Sequence, residues 1–416
     1  MPENDNITSE LESELSDDTA VFEPEYSGET ANGSSDGNYR LPTLTLGGNT
    51  LESLPQKSGK RYRFLRTIGF GGMKSVLLVY DRELRRNVAM ATMPDWRERQ
   101  PAVVNRFIME ARITARLEHP NIVPVHDIGR DMNGTPYFTM KYLKGNTLAS
   151  IIRKLKAGDP ETVATHPLTK LLRIYLRICN AIAFAHSQGF IHLDLKPENI
   201  HVGEFGEVQV IDWGLARAIN RPEDEGKIKP QKNNGGSGRT TAITGMTRDG
   251  IAKGTPGFMA PEQAAGKNRE KDQRTDIYTL GCILYTILTF EKPLAGRKVK
   301  EVLRATIKGN IRAPRELENP QWPIPIALEA ICLKAMERFP ENRYQSVYEL
   351  RQDIIAFSSG YATKAEDAGA LKKFALFIQR NAFVVVIILL LVILIAIFFL
   401  LFIGAATGTL VINHGA

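Results

Sequence analysis

The sequence predicts an α+β chain with two unequal lobes, a β-rich one followed by a mainly helical one, and a single apolar helix after them. Three observations predict it. Short β-type runs crowd between Arg61 and Met140, the apolar residues recur at helical spacing beyond Leu143, and Ala382 to Ala406 runs for 25 residues without a charge. With 416 residues and 43% apolar content the chain can bury a core of two-lobed size.

Residues 1–58 are rich in Glu, Asp, Ser, Gly and Asn and show no sustained period, the composition of a disordered acidic tail. From residue 59 the pattern changes. Tyr62 to Gly69, Ser75 to Tyr80 and Asn87 to Met93 read as three antiparallel strands separated by turn-prone residues. Residues 101–117 open on Pro101 and space their apolar positions as a helix does. Strands at 122–128 and 136–140 complete a five-stranded small lobe, residues 59–143. The large lobe, 144–358, has helical periods at 169–188, 275–290, 324–338 and 346–357. Between residues 218 and 250 lies a Gly- and Lys-rich loop longer than most connections in compact domains.

A juxtamembrane linker, 359–381, leads to the apolar run 382–406, long enough to cross about 30 Å of hydrocarbon as a helix. Lys372, Lys373 and Arg380 precede it and no Lys or Arg follows, so the positive-inside rule puts the lobes in the cytoplasm, tethered to the inner (cytoplasmic) membrane by one pass. Residues 407–416 would form a short external tail, too short to fold as a sensor. A second copy of the chain or a separate membrane sensor is an expected partner. The opening Met-Pro-Glu-Asn-Asp has neither a basic start nor an apolar run, so no cleaved signal peptide is expected.

The net charge of +7 hides an asymmetry: residues 1–55 hold twelve acids against Arg40 alone, which leaves the body near +18. No aromatic-studded basic stripe, zinc spacing or helix-turn-helix pattern accompanies that charge, so the reading expects no nucleic-acid partner. Cys179, Cys282 and Cys332 each sit in an apolar helical pattern, as buried thiols of a reducing compartment do.

The chemistry concentrates in Ile191-His-Leu-Asp-Leu-Lys-Pro-Glu-Asn199 and Val210-Ile-Asp-Trp-Gly214. Together they gather two carboxylates, a lysine and an amide around one point. Phosphoryl transfer needs such a set, because its transition state asks for positioned Mg²⁺, a carboxylate to orient the attacking hydroxyl, and positive charge near the γ-phosphate. Over residues 60 to 357 the chain resembles the protein kinases, and within them the bacterial eukaryotic-like Ser/Thr kinases.

The resemblance implies roles. Asp194 would orient the substrate hydroxyl, Lys196 would sit by the transferred phosphate, and Asn199 and Asp212 would hold Mg²⁺. Gly214 would let the backbone turn sharply after Asp212, and Trp213 stands where phenylalanine is usual. Glu262 of Ala260-Pro-Glu262 would pair with Arg343, and Asp276 would anchor the catalytic loop from a central helix. Lys196 with Gly254-Thr255 resembles the serine/threonine-specific loop, with Thr255 bonding both Asp194 and Lys196. Leu193 replaces the arginine that in many kinases receives an activation-loop phosphate. Thr240, Thr241, Thr244 and Thr247 are candidate autophosphorylation sites.

The nucleotide roof would be Gly69-Phe-Gly71-Gly72-Met-Lys74-Ser-Val76, with Lys74 where a third glycine is usual. The strand that should carry the nucleotide lysine reads Asn87-Val-Ala-Met-Ala91. Strand side chains repeat with period two, so Lys74 and Val76 face one side. Val76 and Ala89 would pack on adenine, which turns Lys74 and Ala91 toward the nucleotide cleft. Lys74 could then reach the phosphates and Glu110, as in the with-no-lysine kinases. Met140 would be the gatekeeper, and Lys141, Tyr142 and Leu143 the hinge. The expected cofactors are ATP and Mg²⁺, and the expected substrates are protein Ser/Thr hydroxyls. The alternative is a pseudokinase, a membrane-tethered nucleotide-binding or scaffolding adaptor.

Overall fold

A computed structural model describes residues 51, 54–56, 61–71, 74–219, 253–294, 298–317 and 319–406. Gly72, the four candidate threonines, the tail 407–416 and most of the tail 1–58 lie outside them. The chain has two units, one ending at Ile354 and one beginning at Ile355, and each is taken by itself.

In the first unit β1 (Tyr62–Phe70), β2 (Ser75–Asp81) and β3 (Arg86–Thr92) form a meander. After α1 (Pro101–Arg116), β4 (Val125–Arg130) and β5 (Pro136–Lys141) complete a five-stranded antiparallel sheet in the order β1-β2-β3-β5-β4. Pro101 begins α1 where a missing N–H costs nothing. Its apolar stripe, Val104, Phe107, Ile108 and Ala111, closes over Ala91 and Phe138 of the sheet and Met93 just after β3.

Two expectations shift here. β4 starts three residues later than 122, because Ile122 bridges Val210 and the Val123 N–H donates to the Val210 carbonyl. Leu54 and Leu51, assigned to the acidic tail, pack with the small-lobe core instead. Arg130 holds that segment through Nε to the Leu54 carbonyl at 3.0 Å and its own N–H to the Pro55 carbonyl at 2.9 Å. Two leucines are too few to show a period, so composition outvoted them.

The large lobe begins with the short β6 (Asn146–Thr147), then α2 (Leu148–Lys156), α3 (Pro160–Thr165) and α4 (Leu168–Ser187). Next come β7 (Phe190–Ile191), β8 (Ile200–Val202), β9 (Val208–Val210) and β10 (Arg217–Ala218). Helices α5 (Pro261–Ala264), α6 (Gln273–Thr289), α7 (Val299–Lys308), α8 (Ile326–Ala335) and α9 (Val347–Ser358) follow. Asp272 caps α6 by accepting from the Arg274 N–H at 2.8 Å. Beyond Arg274 every residue of α6 is buried, so it is the axis of this lobe. Cys179, Cys282 and Cys332 are all buried and unpaired. Burial pushes the Cys179 thiol up to about 12.

The second unit carries α10 (Ala370–Arg380) and α11 (Ala382–Ala406). From Ala382 to Ile403, α11 is long and apolar enough to cross a membrane.

Candidate active site

Asp276, buried in α6, organises the loop after β7. It accepts the backbone N–H groups of His192 at 2.8 Å and Leu193 at 2.9 Å, and it bonds His186 Nε2 at 2.8 Å. Burial works against its charge, but those donors, led by His186, hold the carboxyl below the usual carboxylate range. Leu193 adopts φ 67°, a left-handed conformation that costs a non-glycine residue about 1–2 kcal/mol. Its N–H on Asp276 and its carbonyl, which accepts from Gln263 Nε2 at 2.8 Å, fix it there. The buried Leu193 side chain adds apolar contact where the family's arginine would bring a charge.

That strained turn presents Asp194. Its two carboxylate oxygens are divided between neighbours: Oδ2 takes Lys196 Nζ at 2.8 Å and Oδ1 takes the Thr255 hydroxyl at 2.9 Å. Lys196 Nζ also donates to Thr255 Oγ1 at 2.9 Å, closing a three-membered ring of contacts. Asn199, on a single 3₁₀ turn, donates Nδ2 to the Asp194 carbonyl at 2.9 Å, so its side-chain oxygen remains as a ligand.

Asp212 also has a positive φ, 65°. Trp213 behind it is fully buried against the His192 ring, with centroids 4.5 Å apart, which locks the turn. Gly214 does not itself take a positive φ. A Cβ there would lie 3.1 Å from Glu110 Oε2 and 3.3 Å from Asp212 Oδ1, so the glycine leaves room for two carboxylates to approach rather than for a turn.

Between those carboxylates stands Lys74. Its Nζ donates to Glu110 Oε1 and, at 2.9 Å, to Asp212 Oδ1. The placement follows from register. Val76 lies opposite Ala91 across β2 and β3, so Lys74, two residues earlier on the same face, is diagonal to Ala91. The Gly71 N–H bonds the Lys74 carbonyl at 2.9 Å, tying Lys74 to the end of the roof strand. Burial alone would push the Lys74 ammonium down. The Glu110 and Asp212 charges outweigh that and hold it above its ordinary range. Burial raises Glu110, with the Asp212 charge adding to the effect and Lys74 opposing it. Asp212 also resists burial and, drawn by Lys74, sits below its ordinary value.

Ala91 departs from expectation. It is fully buried and belongs to the apolar cluster with Phe107, Ile108 and Phe138, instead of looking into an open cleft. With no ammonium to keep wet, α1 closes over the methyl group.

A cavity of about 270 Å³ lies under the roof, lined among others by Gly71, Lys74, Glu110, Asp194, Asp212 and Thr255. Gly69, Val76, Ala89, Met140, Tyr142 and Leu143 do not line it. They occupy the neighbouring sheet and connector: Met140 pairs with Ala89, and the Tyr142 hydroxyl accepts from Arg66 Nη2 at 3.2 Å. Below, Glu262 and Arg343 form a buried ion pair at 2.9 Å. The sequence reading missed His186 and Gln263. Neither belongs to a short motif, and both reach the loop only through tertiary contact.

A family model described as the protein kinase domain matches residues 62–352. The chain belongs to the protein kinase family. Named relatives include serine/threonine-protein kinase PknD of Protochlamydia amoebophila, 35% identical over 303 residues, which is 72% of this chain and 30% of the relative. PknD of Chlamydia pneumoniae is 36% identical over 305 residues, 72% of this chain and 31% of the relative. The kinase chain thus spans under a third of the length of these curated relatives. As a kinase fold it keeps the small-lobe sheet over a helical lobe, with the cavity where the two meet.

Among the described residues no group of three or more His, Cys, Asp or Glu side chains could hold a metal alone. Magnesium is commonly bound by one or two carboxylates together with substrate phosphates. Asp212, kept ionised, and the side-chain oxygen of Asn199 fit that role.

Proposed function

We propose that this chain is a membrane-anchored serine/threonine protein kinase that transfers the γ-phosphate of ATP to protein hydroxyls. The observation that carries the reading is the meeting of Lys74, Glu110 and Asp212: a cation from the roof, a helix carboxylate to hold it, and a metal-type carboxylate beside it. Bound Mg²⁺ would neutralise charge on the phosphates, with Asn199 and Asp212 as its protein ligands.

The chain's own groups supply the rest. Lys74 approaches the phosphates from the glycine-rich turn, and Glu110 fixes its direction. Gly69 and Gly71 let the backbone come close to the nucleotide, and Gly72 completes the run. Val76, Ala89, Met140, Tyr142 and Leu143 form the adenine side. Asp194 accepts a hydrogen bond from the incoming Ser/Thr hydroxyl and takes its proton as the new O–P bond forms and the bond from the γ-phosphorus to the β–γ bridging oxygen breaks, releasing ADP. Lys196, bound to both Asp194 and Thr255, places positive charge next to the developing oxyanion. The serine/threonine relatives and the Lys196–Thr255 contact favour a Ser/Thr acceptor over tyrosine. Anchoring rests on α11, preceded by cations, which sets the kinase on the cytoplasmic side of the inner membrane.

The test is transfer of labelled γ-phosphate to the chain itself and to basic Ser, Thr and Tyr peptides, with Asp212→Asn as background. Incorporation on Ser and Thr alone is expected. None above the Asp212→Asn background would leave only a nucleotide-binding scaffold.

A further inference from the structure

α10 has an unpartnered face with a regular pattern. Leu371, Phe374, Phe377 and Ile378 are 87%, 62%, 49% and 37% exposed, and no residue of the helix is buried. At 100° per residue these four, with Ala370 and Ala375, span an arc of roughly 160°. Lys372, Lys373, Gln379 and Arg380 fill the opposite arc, and Leu376 is the one apolar residue among them. Residues 370–380 contain three cations and no acid. The polar side is itself organised: Lys372 pairs with Glu366, and the Arg380 guanidinium stacks 3.8 Å above the ring of the exposed Tyr361.

The joint to α11 is a single residue. Asn381 leaves helical geometry at φ −110°, ψ 31°. Its backbone N–H and side-chain Nδ2 both donate to the Phe377 carbonyl, at 3.0 and 2.9 Å, closing α10. Its own carbonyl accepts the Val385 N–H at 2.9 Å, opening α11. The two helices are therefore separately terminated, and the apolar face of α10 is one residue away from the wholly apolar surface of α11.

We propose that α10 is an interfacial helix that lies in the headgroup region of the bilayer spanned by α11. Leu371, Phe374, Phe377 and Ile378 enter the acyl boundary, while Lys373 and Arg380 meet anionic headgroups. Three features select a bilayer as the occupant: continuity with the span, cations without acids on the polar arc, and aromatic side chains at the depth where a helix enters the membrane.

The inference rests on the anchored reading, and the experiment separates the two. The full-length protein is reconstituted in vesicles of phosphatidylcholine and phosphatidylglycerol. Single nitroxides are attached at Leu371→Cys, Phe374→Cys, Ile378→Cys, Lys372→Cys, Gln379→Cys and, within the span, Leu391→Cys. The buried native thiols leave an unlabelled background. Collision with oxygen and with a water-soluble nickel chelate reports depth. The expected result is severalfold more oxygen than nickel accessibility at 371, 374, 378 and 391, and the reverse at 372 and 379. If 391 is deep while 371, 374 and 378 are as wet as 372 and 379, the interfacial helix is wrong and the anchor stands. If those three are shielded from both reagents, a protein surface or a second copy covers the face, and the proposal fails. If 391 is itself wet, the anchored reading fails and takes the proposal with it.

Discussion

Moving the ammonium back to the family's usual strand tests the geometry without any catalytic assay. Lys74→Ala leaves Glu110, which is buried, and Asp212, which is partly exposed, without their shared cation. Breaking a fully buried pair costs about 3–5 kcal/mol, and partial exposure brings the expectation here to about 2–3 kcal/mol. Ala91→Lys alone forces a long side chain into the cluster of Phe107, Ile108 and Phe138 beside a second cation, costing about 1–3 kcal/mol in overpacking before repulsion is counted. Combined, the two changes should not add. Lysine at 91 then meets carboxylates that have lost their partner, and the double variant should recover about 2 kcal/mol of the summed loss. At about 2–4 °C per kcal/mol for a domain of this size, that is a coupling of roughly 4–8 °C in Tm. Thermal unfolding of all four proteins, followed by the intrinsic fluorescence of Trp96, Trp213 and Trp322, reads it out. Additivity within about 0.5 kcal/mol would show that the two positions do not address the same carboxylates, and the relocation argument would collapse.

Other perturbations probe separate parts of the site. Gly214→Ala puts a methyl against Glu110 Oε2 and Asp212 Oδ1, so it should lower kcat by about 10- to 100-fold with little change in Tm, measured by steady-state phosphate transfer. Thr255→Val removes the hydroxyl joining Asp194 to Lys196 and should lower kcat by about tenfold or more while leaving KM for ATP unchanged, since neither group touches adenine. Asp276→Asn should destabilise the domain by about 3 kcal/mol at neutral pH. Because folding lowers the Asp276 pKa, its contribution is present above the ordinary 3.8 and is lost as pH falls through the folded value. Urea unfolding should therefore show a constant gap between wild type and variant from pH 7 down to about 4, narrowing only below that.

The small-lobe sheet was legible because its strands alternate and its turns are marked, and the side to which Lys74 turns, toward Glu110, was legible because register has period two. What escaped shows where single-sequence reading stops. α2 carries Leu148, Ile151, Ile152 and Leu155 at helical spacing behind the Thr147 cap, yet one stripe of nine residues was too brief to separate from a loop. Leu54 gains its place only from contact with α1 and the sheet. His186 bears on the catalytic loop through Asp276, 90 positions away, and Gln263 bonds the Leu193 carbonyl across 70, separations no local pattern spans. Ala91 was expected to look into the cleft, and it is buried in the apolar cluster under α1. The period gives the face a side chain takes, and helix packing decides whether that face stays open.

The central claim is that Lys74 does for the nucleotide what Ala91 cannot. Its most direct measurement is the single-turnover rate of labelled γ-phosphate transfer by Lys74→Ala beside wild type, with Asp212→Asn as the floor. The account predicts a loss of at least about 100-fold toward that floor, the scale of removing one electrostatic donor from a transition state. A Lys74→Ala enzyme that transfers phosphate at the wild-type rate would contradict it.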